Sequence, residues 1–400
     1  MNLINQSPPV KVQLARNLVK VIKRGHAWVY ADALRSIPSI EPGTPAILLD
    51  NRGGKEIARG FLDPTSPIAL RICTTQPGHH PSPAWAETTM QRALALRKSL
   101  FSPFQHTNAF RLFNGEGDGL PGLVCDIYDH AAVIVTDGAG PEKFWRVEQI
   151  AAWLGDQLAV TDVYHKYRQE TESNTVQILA SSRDPVVYFQ ENGFTFMANP
   201  ISGQKTGFFL DQRDNRKAIM PWAKEKKVLN VFGYTGGFSV YAGKSGATQV
   251  TTIDTAQPAL KDAEQNWQYN HLPPEKHETI CEDAFEALSG AKQQKQTWDL
   301  VILDPPSFAS SESSLPQAVK AYTRLFTLGA QVTEKGGVLA AASCSSHLRR
   351  DQFLKIVEES VSAARRRATL LGFHGQPPDH PAPLAMPELR YLKFILLKLN

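Results

Sequence analysis

Short apolar runs alternate with amphipathic stretches from residue 226 to the end of the chain. KVLNVF, TQVTTID, HETICED, WDLVILD and GGVLAAAS each read as a strand, and ATLLGF and YLKFILLKLN add two more. Runs this short and this apolar fit strands covered on both faces. FSVYAGKSGA and PALKDAEQNWQYN, between them, read as helices. In DQFLKIVEESVSAARR, Phe353, Ile356, Val357, Ser360, Val361 and Ala364 fall on one face at helical spacing. The alternation predicts an α/β, doubly wound sheet with helices on both faces. In such sheets ligands bind beyond the carboxyl ends of the strands, so the chemistry is sought there.

The rhythm upstream is different. Residues 10 to 75 carry alternating stretches such as TPAILLD and PIALRIC, cut by Pro and Gly, which predicts a small β-barrel-like unit. QPGHHPSPAW (76 to 85) reads as a linker. A helix over TTMQRALALRKSLF, strands at RLF and LVCDIY around the turn-rich NGEGDGLPG, a helix over EKFWRVEQIAAWLGDQL (142 to 158) and strands VYHKY and TVQILA predict an α+β middle domain. The expected domains are therefore 1–75, 76–185 and 186–400.

Composition adds limits. A length of 400 residues exceeds one ordinary core. With 42% hydrophobic and 20% charged residues the chain is of ordinary globular type. No run reaches the roughly 18 apolar residues of a membrane helix, and the N-terminus lacks a secretory pattern. The four cysteines form no CxxC pair, so no metal site is expected, and a reducing cytoplasm fits. Net charge is only +4, but residues 1 to 75 hold ten Lys or Arg against five Asp or Glu. That basic module, with Lys20, Lys23 and Arg24 beside the aromatics of HAWVY, suggests a polyanion partner; its bland reading is a merely soluble basic domain.

Candidate chemistry sits at the ends of the strands. After the first comes FGYTGG, in which Phe232, Gly233, Tyr234 and Gly236 form a tight turn that a ligand can approach. It is neither a Walker A loop nor GxGxxG. The second strand ends in Asp254, 21 residues beyond Gly233, the spacing of an acid that binds ribose hydroxyls. The third ends in Glu282-Asp283, with Asp283 placed for an adenine amine. The fourth ends in Asp304-Pro305-Pro306-Ser307-Phe308, and the fifth in Cys344. Each has a bland reading: Asp254 and Asp283 as helix caps, Asp304 as a turn residue, Cys344 as a small core hydrophobe. Together they occupy four successive strand ends in order. A nucleoside cofactor without a phosphate-binding lysine points to S-adenosylmethionine. The prolines stiffen the loop and remove two donors, so Asp304 and Phe308 can face a planar base.

VLNVFGYTGGFSVYA, Asp254, EDAF, LDPPSF and SCS, in this order, resemble class I S-adenosylmethionine-dependent methyltransferases. KTGFFLDQRDNR (205 to 216), GEGDGLPGLVCDIY and PDHP (378 to 381) are similar to the RlmI-type 23S ribosomal RNA 5-methylcytosine methyltransferases. The resemblance covers nearly the whole chain. It implies an N-terminal PUA RNA-binding domain, a middle α+β domain and a Rossmann-like seven-stranded catalytic domain with an antiparallel last strand. It further implies cofactor contacts at Phe232, Gly233, Tyr234, Gly236, Asp254, Asp283 and Asp304. Substrate contacts are implied at Pro305, Pro306, Phe308, Gln212, Arg213, Lys23 and Arg24, with Asp304 orienting the cytosine and Cys344 as nucleophile. The partner would be RNA, 23S ribosomal RNA, with no membrane; a homodimer is an open option.

The chemistry agrees. Cytosine C5 is too weak a nucleophile to attack a sulfonium directly, and a thiolate added at C6 makes C5 enamine-like. Many RNA 5-methylcytosine methyltransferases carry a second cysteine after the Asp-x-Pro motif, and the RlmI-type branch manages without it; here Ser307 stands there, which leaves the release base unassigned, with Asp379, His380 or a water as candidates. Two rivals remain at this level. A methyltransferase of base nitrogens (guanine N7 or N2, adenine N6) would need no cysteine. A non-catalytic RNA-binding ribosome-assembly protein would need none of these residues. An NAD-dependent dehydrogenase would lack its glycine fingerprint.

Overall fold

The structure, a computed structural model, describes residues 1–400 apart from 77, 169–172, 181–183 and 310. The chain divides into two compact units. One comprises Met1–Gly193, Ala198–Leu210 and Pro378–Leu389; the other comprises Phe194–Met197, Asp211–Pro377 and Arg390–Asn400.

The first unit holds two five-stranded sheets. The N-terminal one runs in the order Val10–Gln13, Thr44–Leu49, Glu56–Leu62, Leu70–Thr74, Trp28–Val29, with the short helix Val19–Lys23. The other runs Ser173–Leu179, Asp162–Arg168, Ala131–Thr136, Leu123–Tyr128, Ala109–Asn114, parallel only between the second and third of these. Two expectations need correction. The helix expected over 142–158 is two, Ala139–Phe144 and Val147–Leu158. Trp145 is extended between them because Ile4 forms a β-bridge with it and Arg146 N–H donates to Leu3 O. The segment read as a linker ends early, since a helix starts at Pro83 with the Ser82 hydroxyl accepting from Trp85 N–H.

NGEGDGLPG is more than a turn. Glu116 accepts from Trp28 Nε1 (2.7 Å) and Arg71 Nη1 (2.6 Å), so it ties the N-terminal sheet to the middle sheet. Asp118 takes both terminal nitrogens of the fully buried Arg97. Arg97 also donates to Asp379 O (2.7 Å), which anchors the PDHP segment in the same unit.

The second unit is the doubly wound sheet. Its strands are Lys227–Val231 (β1), Gln249–Asp254 (β2), His277–Cys281 (β3), Trp298–Leu303 (β4), Thr333–Ser343 (β5), Ala368–His374 (β6) and Lys393–Leu399 (β7). Their order is β3-β2-β1-β4-β5-β7-β6. The first five are parallel; β7 lies antiparallel to both β5 and β6. The helices are Gly237–Lys244 (α1), Gln257–Tyr269 (α2), Ala284–Gln293 (α3), Leu315–Val332 (α4) and Arg350–Ala363 (α5). Central strands are buried along their length, as Val228 to Val231 are in β1, while the edge strands β3 and β6 are largely exposed. On α5 the expected face is buried at Phe353, Ile356, Val357, Ser360 and Val361; Ala364 lies past the helix end and is half-buried. Parallel pairing brings the carboxyl ends of β1 to β5 to one edge of the sheet.

Candidate active site

The loop after β1 is strained. Phe232 (φ 60°), Tyr234 (φ 47°) and Gly236 (φ 76°) all lie in the left-handed region, two of them with side chains. Asp254 at the end of β2 holds this turn. Its Oδ2 accepts from Tyr234 N–H and its Oδ1 from Ala256 N–H, each at 2.9 Å. Gly233 and Gly236 are there for close packing. A Cβ on Gly233 would lie 2.3 Å from Thr252 Cγ2, and one on Gly236 would lie 2.8 Å from Ala263 Cβ. The glycines thus let the loop sink onto β2 and α1 approach α2.

Asp283 caps α3, its Oδ1 accepting from Phe285 and Glu286 N–H. The capping role and a ligand role are compatible, because Asp283 is exposed and its Oδ2 makes none of these bonds. Thr235, in the same loop, is 4% exposed and its hydroxyl has no hydrogen-bond partner among the described residues. A strained loop with an unpartnered buried hydroxyl, flanked by carboxylates at the ends of β2 and β3, fits an adenosyl group. The loop carries no lysine, as a group without phosphates requires.

Asp304, one residue past β4, is half-buried. Gln212 Nε2 donates to its Oδ1 at 2.8 Å, and Asn215 Nδ2 donates to Gln212 Oε1 at 2.5 Å. Gln212 and Asn215 are 3% and 0% exposed. Gln212, expected at the substrate, is a buried clamp on Asp304. Arg213, expected there too, is buried and faces Asp214 (3.2 Å). Pro305 is buried and Pro306 exposed; the Phe308 ring packs on Tyr322 at 4.8 Å.

Cys344 follows β5 directly, half-buried and in no disulfide. The residues on either side are completely buried and form a hydroxyl cluster. Ser345 Oγ lies 2.9 Å from Ser307 Oγ and 2.8 Å from Tyr322 Oη, and Ser343 Oγ donates to Tyr322 Oη at 3.0 Å. Ser307 thereby ties the DPPSF loop to the Cys344 segment. Burial raises the Tyr322 phenol above its usual range, so it is a neutral hydrogen-bonding group. Sequence reading missed Tyr322, Asn215 and Lys393. Lys393, the first residue of β7, is 3% exposed, and its Nζ donates to Ser345 O (2.6 Å) and Tyr391 O (2.7 Å).

In the first unit, Lys23 and Arg24 are exposed at the end of the helix Val19–Lys23. The neighbouring aromatics are partly engaged: Trp28 donates to Glu116, and His26 Nε2 lies 2.9 Å from Glu388. Asp379 and His380 are both completely buried there, and Asp379 Oδ2 accepts from Arg111 N–H (3.1 Å).

The model of a family described as S-adenosylmethionine-dependent methyltransferase matches residues 142–385, and that of a PUA-like domain matches residues 12–75. The ribosomal RNA large subunit methyltransferase of Deinococcus radiodurans is 35% identical over 99% of both chains. The chain belongs to the S-adenosylmethionine-dependent methyltransferases. Within them it groups with the large-subunit enzymes; ribosomal RNA large subunit methyltransferase I of Alteromonas mediterranea is 34% identical over 95% of this chain and 96% of its own. A solved Streptococcus mutans structure described as a SAM-dependent methyltransferase shares the fold, with a TM-score of 0.84, 22% identity and 97% and 100% coverage. The cofactor of this methyltransferase is S-adenosylmethionine. Among the described residues no helix is long and apolar enough to cross a membrane, and no group of three His, Cys, Asp or Glu could hold a metal.

Proposed function

We propose that this methyltransferase converts cytosine to 5-methylcytosine in large-subunit ribosomal RNA through a covalent adduct on Cys344. The observation that carries the reading is the pairing of Asp304 and Cys344. They end adjacent parallel strands, β4 and β5, on the edge where the Asp254 loop lies. The RNA class rests on the names of the full-length relatives and on the PUA-like module. When bound, the cofactor supplies an electrophilic methyl group. Asp254 holds the ribose and Asp283 the adenine, with the strained 232–236 loop against the remainder.

The Cys344 thiolate adds to C6 of the base. C5 gains enamine character and would take the methyl group as the sulfonium S–CH3 bond breaks to leave a neutral thioether; a water would then accept the C5 proton as the C6–S bond breaks and the cysteine leaves as thiolate. Asp304, aimed by Gln212, accepts from the exocyclic amine of cytosine and orients the ring. Pro305 and Pro306 keep the loop rigid, and Phe308 offers an aromatic edge already set by Tyr322. Lys23 and Arg24 bind phosphates on the basic module.

Cys344→Ala should abolish tritium transfer from labelled cofactor to unmodified large-subunit RNA while cofactor affinity stays within about twofold. Nucleoside mass spectrometry of the product should show 5-methylcytidine. A methylated purine, or undiminished transfer by the alanine variant, would replace this reading with direct methylation of a ring nitrogen.

A further inference from the structure

Lys393 is a buried cation that the chemistry described so far does not use. It opens β7, on the strand antiparallel to β5, and its Cα pairs with that of Ser343. Its Nζ grips the carbonyl of Ser345, the residue next to Cys344, at 2.6 Å, and that of Tyr391 at 2.7 Å. Among the described residues no carboxylate lies within ion-pair distance of it. An ammonium taken out of water needs a counter-charge. The Cys344 sulfur, once ionised, acts on the ammonium as an opposing charge.

We propose that Lys393 is a positioning residue that holds Cys344 as a thiolate ready to attack. The proposal rests on Cys344 being the nucleophile. Two carbonyls fix the Nζ beside the Cys344 main chain, so the charge cannot swing away to solvent. Several neighbouring groups among the described residues carry no positive charge to it. Tyr322, from α4, is neutral. Asp304, ending β4, would oppose a thiolate if ionised. Tyr391 donates its hydroxyl to Asp211 (2.7 Å), and His347 is exposed three residues on. Burial pulls the Lys393 ammonium down to about 8, and the Cys344 charge acts against that pull. The ammonium and an ionised Cys344 therefore favour one another. Removing the lysine removes the term that favours the ionised sulfur.

The test is the pH dependence of Cys344 alkylation by iodoacetamide in the full chain, read peptide by peptide by mass spectrometry. Only the thiolate reacts, so the rate follows its fraction. In Lys393→Met the Cys344 midpoint should rise by at least one pH unit, and alkylation on the rising limb of the profile should slow by up to about tenfold. Exposed Cys281 is the internal standard and should be unchanged. Lys393→Arg, which keeps the charge, should stay within about threefold of the parent. If Lys393→Met does not fold, Lys393→Gln, which still donates hydrogen bonds, serves in its place. Superimposable Cys344 profiles for the parent and the neutral variant would overturn the proposal. The outcome is independent of the adduct chemistry, because failure of that reading appears instead as methyl transfer by Cys344→Ala.

Discussion

Replacing Gln212 by Leu separates the orientation of Asp304 from every other part of the site. The substitution nearly conserves volume at a position 3% exposed, so the packing loss is small. Two hydrogen bonds disappear: the 2.8 Å bond to Asp304 and the 2.5 Å bond from Asn215. A bond to a charged group is worth about 1.5–3 kcal/mol. If Asp304 is aimed at the base by Gln212, most of that appears in the barrier, a factor of roughly 10 to 100. Asn215, completely buried, keeps an unpaired amide that costs about 1–3 kcal/mol of stability. For a unit of this size that is a fall in melting temperature of roughly 2–4 °C per kcal/mol.

The assay is single-turnover methyl transfer at saturating cofactor, beside cofactor affinity and thermal unfolding. Transfer should drop about 10- to 100-fold with cofactor affinity within about twofold. In an Asp304→Asn background the same change should add little, since both act through one carboxylate. If Gln212→Leu melts earlier yet transfers methyl groups at the parental rate, the clamp is structural only. Full additivity with Asp304→Asn would equally refute the argument.

Two further outcomes follow from other parts of the molecule. Charge removal at Lys23 and Arg24 together should weaken RNA binding and lower the slope of log affinity against log salt by about 1.5, as two lost phosphate contacts require; an unchanged slope measured by filter binding would remove them from the RNA surface. His277 stacks on Trp267 at 4.5 Å, lies 2.8 Å from Thr252 Oγ1, and is held down to about 4 by burial. Its folded-state value lies below the unfolded one near 6.5, so the stability it contributes is complete above about pH 6.5 and is lost as pH falls toward 4. The upper limit is about 3 kcal/mol, and partial exposure of the ring reduces it to about 1–2 kcal/mol. Thermal unfolding between pH 7 and 5 should fall more steeply for the parent than for His277→Gln, and parallel curves would show that the histidine is not the group responsible.

Local pattern carried much of this protein. Period and turn chemistry marked the strands of the α/β sheet, because a strand covered on both faces must be apolar along its length, as Val228 to Val231 are. Parallel pairing then obliges the residues after those strands to share one edge, which is why Asp254, Asp283, Asp304 and Cys344 could be read in order. The break at Trp145 was not legible. It depends on Leu3 and Ile4, more than 140 residues away, and the local sequence favours a continuous helix.

Tertiary structure alone decided what surrounds the reactive groups. Gln212 reaches Asp304 across 92 residues, and Lys393 reaches Ser345 across 48. Nothing in a glutamine before a short helix, or a lysine opening an apolar strand, marks either for the site. The same holds for the PDHP segment, whose Asp379 and His380 look available in sequence and are buried in the fold. Hydrophobic periodicity records which face of an element is covered, and it leaves open which distant side chain the covering brings. In this chain the sequence determined that Cys344 lies at the carboxyl end of β5, and the antiparallel return of β7 decided that Lys393 reaches the carbonyl of the residue after it.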